Sequence, residues 1–91
     1  MILISYDIKD DKLRNKFSRY LKKFGYRLQY SVFEITHSRS MLSNMKLQIE
    51  NNFKKSFCDD DSILIIETSE TCKVTRMGYI KHDEADGLII V

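Results

Sequence analysis

The chain has 91 residues, 43% hydrophobic and 31% charged, with a formal net charge of +2. That length suits one domain burying only about 60–65% of its unfolded surface, and a composition this balanced excludes a disordered or low-complexity chain. The small net charge excludes the class whose bulk charge alone announces a nucleic-acid binder, and two cysteines without a CxxC exclude both a disulfide framework and a zinc module.

The run Met1-Ile-Leu-Ile-Ser-Tyr-Asp7 is short, rich in isoleucine and stopped by polar residues, so it reads as a buried strand that delivers Asp7 at its end. A carboxylate there, just before a helix rich in Lys and Arg, suits a metal or phosphate-handling position. Asp in such a place also begins turns and caps helices, and the local sequence leaves both readings open.

Asp10-Asp11 offers a cap and favourable charge for a helix running to about Phe24. Its apolar residues Leu13, Phe17, Tyr20, Leu21 and Phe24 fall on one stripe, and Gly25 is expected as the stop just past its end. On the neighbouring face Lys12, Lys16, Arg19 and Lys23 recur at i, i+4, i+7 and i+11. That basic ridge suits either solvent or phosphate contact, and the absence of an acidic residue within it favours phosphate.

Tyr26 to Thr36 is dense in aromatic and β-branched residues and reads as extended. As one straight strand it would put Arg27, Gln29, Ser31, Phe33 and Ile35 on one face, a set able to contact phosphate and stack on a base. Ser40 is expected to cap a second helix, whose stripe Met41, Leu42, Met45, Ile49 and Phe53 reads as core and which ends near Lys55. Asp59-Asp60-Asp61 lacks the spacing and glycine of a calcium loop and reads as a solvated turn.

Ser62 to Glu67 is apolar on both faces, as a central strand is. Lys73 to Ile80 offers a shorter strand, and Leu88 to Val91 is an apolar tail that needs another strand, in this subunit or a partner. His37 and His82 have no ligand-spaced neighbours, and the three glycines form no phosphate loop. The first residues are too short an apolar run for a signal peptide, and no eighteen apolar residues run together, so a cytoplasmic chain with no membrane partner is expected.

The element order predicts an α+β, ferredoxin-like β-α-β-β-α-β domain over residues 1–91, with two helices on one face of an antiparallel sheet. The run from 26 to 36 must then break into two strands. The other sheet face needs cover, for which a two-fold homodimer is economical.

Tyr6-Asp7-Ile8, Asp11-Lys12, Arg14, Lys16, Leu21, Gly25, Arg27, Gln29 and Ser31-Val32-Phe33-Glu34 together resemble the CRISPR-associated protein two family, closely over residues 1–36 and in element order beyond. Where that family often has a second basic residue after Asp-Lys, this chain has Leu13. The resemblance implies a homodimer in which two copies of Asp7 face each other and share one Mg2+, an ion that needs several oxygens and that one carboxylate holds poorly. It implies that Ser31 orients phosphate or water and that Phe33 positions a base or packs at the interface. Lys12, Arg14, Lys16, Arg19, Lys23 and Arg27 would hold the nucleic-acid backbone.

The implied activities are metal-dependent endonuclease cleavage of RNA or DNA, and a bridging role in which the dimer grips duplex DNA between integrase subunits during spacer acquisition. Outside CRISPR, the runner-up is a toxin-type RNA interferase.

Overall fold

A computed structural model describes residues 1–78. The elements run β1 (Ile2–Asp7), α1 (Asp11–Lys22), β2 (Gly25–Gln29), β3 (Val32–Ile35), α2 (Arg39–Asn52), a short 3-10 turn (Lys54–Ser56) and β4 (Ser62–Glu67). The sheet order is β2-β3-β1-β4, antiparallel at every pairing. This is the ferredoxin-like arrangement, and its logic puts β1 in the middle of the sheet. Residues 73–78 lie outside any strand; the rest of the strand expected up to Ile80, and the apolar tail, fall beyond the described residues.

Along β1 the burial alternates, with Ile2, Ile4 and Tyr6 inside. Against them pack Phe17 and Leu21 of α1 and Leu42, Met45 and Ile49 of α2, with Phe53 closing the end. Phe17 is the hub: Tyr6 meets it edge-on at 5.1 Å and Phe53 at 5.0 Å. Edge-to-face pairs of this kind add to the apolar burial that holds both helices on the sheet. The stripe expected for α1 is the one observed, with Leu13, Tyr20 and Phe24 flanking the core.

Three boundaries differ from expectation. Asp10 caps α1 through the Leu13 N–H, at 2.8 Å, but the helix ends at Lys22 and Gly25 already belongs to β2, without a positive φ. Glycine is required there for a different reason: a Cβ would stand 1.8 Å from the Glu34 carbonyl oxygen. The second helix is capped by Ser38 rather than Ser40. Among the described strands β4 is at an edge rather than central. Among the described residues nothing covers its outward face, where Leu64 is 60% and Ile66 38% exposed.

The run from 26 to 36 breaks at Tyr30-Ser31, as the fold demands. It also carries a bulge: Arg27 pairs with Phe33, but Gln29 pairs with Val32, leaving Leu28 as the extra residue. The bulge and the turn break the face expected for a straight strand: Arg27, Phe33 and Ile35 keep it, while Gln29 and Ser31 leave it. Arg27, Phe33 and Ile35 turn into the core, while Gln29 is exposed.

Candidate functional site

Asp7 ends β1 on the side away from the helices, the side it shares with Leu3 and Ser5. Its side chain is 64% exposed. The register Asp7↔Ser62, Ser5↔Leu64 and Leu3↔Ile66 sets the outward side chains of β4 beside those of β1. On the other flank Leu3 pairs with Glu34 and Ser5 with Val32. The outward face therefore carries Leu3, Val32, Leu64 and Ile66 with Ser5 and Glu34 among them, and Asp7 at one end.

Next to Asp7 the backbone is held firmly. The Tyr6 N–H donates to the Ser31 carbonyl at 3.0 Å, which brings the β2–β3 turn against the end of β1. Arg27, 7% exposed, lies over the Phe33 ring at 5.0 Å and donates from Nη1 to the Tyr30 carbonyl at 2.6 Å. Burial pushes the Tyr6 hydroxyl above its ordinary pKa, with the positive charge of Arg27 pulling the other way. Tyr6, Arg27 and Tyr30, with Arg14 and Ser18, line a cavity of about 300 Å³.

Arg14 donates from Nη1 to the Ile8 carbonyl at 3.0 Å and the Lys9 carbonyl at 3.4 Å, while Nη2 meets Asp11. The bond to Asp11 raises its pKa further. Lys9 places its Nζ 3.0 Å from an Asp7 oxygen, and this bond raises the ammonium's pKa. The Asp61 carboxylate accepts the backbone N–H of Lys9 and of Cys58, each at 2.9 Å, and is held below the usual carboxylate range by those two bonds.

The structure thus gathers Asp7, Ser31 and Arg27 around the end of β1, but gives them different exposures. Asp7 is open to solvent and Ser31 partly so. Phe33 is fully buried, so the expectation that it positions a base or packs at an interface is corrected: it is core, and it supports Arg27. Arg14 and Arg27 work inward as struts, the first on the β1–α1 loop and the second on the β2–β3 turn, rather than facing outward towards a nucleic acid. Lys12, Lys16, Arg19 and Lys23 are exposed along α1, with Lys16 reaching over the Phe53 ring at 5.4 Å. His37 packs edge-on against Phe24.

The sequence alone did not single out Lys9 and Asp61. A signal existed: an acidic turn directly before a strand antiparallel to β1 must come to rest beside residues 7–9. Among the described residues no group of three or more His, Cys, Asp or Glu side chains is placed to hold a metal ion. No helix among them is long and apolar enough to cross a membrane.

Comparison with known proteins gives this geometry a family. Residues 1–76 match the model of the family described as CRISPR associated protein Cas2. The chain is 32% identical over 90 residues to a protein of Methanospirillum hungatei named CRISPR-associated endoribonuclease Cas2 2, covering 97% of each. It is 41% identical over 82 residues to a CRISPR-associated endoribonuclease Cas2 of Thermus thermophilus, covering 90% of this chain and 83% of that one. Among solved structures, Streptococcus pyogenes Cas2 shares the fold with a TM-score of 0.70 at 20% identity, over 85% of this chain and 98% of the other. A hypothetical protein of Thermus thermophilus superposes with a TM-score of 0.69 at 26% identity, over 87% of this chain and 93% of that one. With the family model matching residues 1–76 and relatives 32% and 41% identical covering 97% and 90% of the chain, the protein belongs to the CRISPR associated protein Cas2 family.

Proposed function

We propose that this chain is a metal-dependent endoribonuclease that works as a homodimer, with Asp7 of each subunit forming one site. The observation that carries this reading is the position of Asp7, exposed at the end of the central strand on the same open face as Leu3, Leu64 and Ile66. Apolar side chains left exposed like this among the described residues favour burial against a second copy. Two copies joined through it about an axis near the end of β1 bring two carboxylates together. The substrate class follows the names of the relatives, which are endoribonucleases.

The donor set supports the metal as a half-site. One exposed carboxylate per subunit is too little for a divalent ion, whereas two with waters and a phosphate oxygen suit Mg2+. The two copies of Asp7 would hold the ion, which when bound would supply Lewis acidity towards a phosphate oxygen and acidify a water. The chain's own residues do the positioning. Ser31, in the turn fastened to the Tyr6 N–H, orients phosphate or water, and Arg27 keeps that turn in place from below. The ridge of Lys12, Lys16, Arg19 and Lys23 neutralises backbone phosphates.

The test is Asp7→Asn. Mg2+-dependent cleavage of single-stranded RNA should fall by more than the roughly 10–100-fold that losing an outer-shell partner costs, and chelation should do the same to the parent. Cleavage at the parent's rate by the Asp7→Asn protein would remove the reading.

A second reading rests on the ridge itself. It lies on α1, in the helix layer on the side of the sheet opposite Asp7, and so can grip duplex DNA without using that carboxylate. In this reading the dimer bridges CRISPR integrase subunits during spacer acquisition, and Asp7→Asn leaves acquisition intact while charge reversal of the ridge abolishes it.

A further inference from the structure

Lys9 is a charged group beside Asp7 that the proposed reaction leaves unused. Its ammonium bonds to an Asp7 oxygen at 3.0 Å. Its main chain is pinned on both sides, the N–H by Asp61 at 2.9 Å and the carbonyl by Arg14 at 3.4 Å. Both pins have second anchors of their own, Asp61 on the Cys58 N–H and Arg14 on the Ile8 carbonyl. An exposed lysine usually gains little from an ion pair because ordering its long stem offsets the attraction. Here the stem starts from a fixed point two residues from its partner, which raises the effective concentration of the ammonium at that carboxylate.

Resting on the metal reading above, we propose that Lys9 is a built-in counter-ion for Asp7 which a divalent cation must displace, so that it sets the ion concentration at which the site loads. The ammonium and an incoming ion draw on lone pairs of the same carboxylate, and each repels the other. With Lys9 in place, the charge that each subunit offers to Mg2+ is cancelled. With its side chain swung into solvent, two subunits offer two negative charges. The exchange needs no movement of the loop, because Asp61 and Arg14 hold Lys9 through its backbone and leave the side chain to rotate. Both partners are more than half exposed, at 54% for Lys9 and 64% for Asp7, so the competition is modest in size.

The experiment is a titration of the full-length protein with Mg2+ alone, by calorimetry and by the rise in thermal unfolding midpoint. The parent is set beside Lys9→Met, Lys9→Arg and Asp7→Asn. Lys9→Met is expected to tighten the Mg2+ Kd by about two- to fivefold and to lower the half-saturating Mg2+ for RNA cleavage by the same factor. Lys9→Arg, which keeps the charge, should stay near the parent. If Asp7→Asn abolishes binding while Lys9→Met leaves the Kd unchanged or weaker, the displacement idea is overturned and the metal reading stands. If Asp7→Asn binds Mg2+ as tightly as the parent, the metal reading is overturned and the displacement idea with it.

Discussion

Asp61 accepts two backbone N–H groups, one from the loop after β1 and one from its own turn, and both bonds favour its ionised form. Its pKa is lower folded than unfolded, so it contributes stability above the unfolded value of about 4, and that contribution is lost as pH falls through the lower folded value. Asp61→Asn should therefore lower the thermal midpoint at pH 7, with the gap to the parent closing at the acid end. A gap that stays constant down to pH 2 would show that the charge is not what the two N–H groups bind. Gly25 gives a steric test of the same sort. Gly25→Ala drives a methyl group into the Glu34 carbonyl and should cost about 1–3 kcal/mol or more by urea unfolding, with little relief since backbone is what it strikes. At this scale the sequence is partly legible. The position of Asp7 can be found because an apolar run stops at it, whereas the exposure of Gln29 cannot, because one extra residue at Leu28 takes it off the face that Arg27 shares with Phe33.

Helix α1 carries two programmes on one surface, a core stripe centred on Phe17 and Leu21 and the ridge of Lys12, Lys16, Arg19 and Lys23. Both are readable, because a period of 3.6 residues sorts them without knowledge of the partner. The two should also come apart by mutation. Phe17→Ala removes a ring that Tyr6 and Phe53 both meet edge-on, and is expected to cost about 3–5 kcal/mol in unfolding free energy. Reversing Lys12, Lys16 and Arg19 to Glu should leave the unfolding midpoint within a few degrees while weakening duplex binding and flattening its salt dependence, by about 0.9 in the logarithmic slope for each phosphate no longer neutralised. Unchanged affinity and slope would mean that α1 does not grip nucleic acid. The strand at 62–67 is legible as an element, but its place within the sheet is not. One of its apolar faces meets the core and the other is exposed among the described residues, and sequence cannot distinguish such a surface from a second layer of core.

For the whole molecule the deciding surface is the open face of the sheet. If it is the dimer interface, Leu64→Glu combined with Ile66→Lys should yield a stable monomer in sedimentation that has lost Mg2+-dependent cleavage, because each Asp7 is then left by itself. A double variant that remains dimeric would place the interface elsewhere. The sheet order also fixes when the chain can finish folding. Since β1 lies between β3 and β4, with Ile2 opposite Glu67, the first strand to leave the ribosome keeps one row of hydrogen-bonding groups without its strand partner until the last described element has been made. Nascent chains that stall before Ser62 would thus display an isoleucine-rich ribbon with a bare side, and their fate depends on how quickly synthesis resumes or a chaperone shields it.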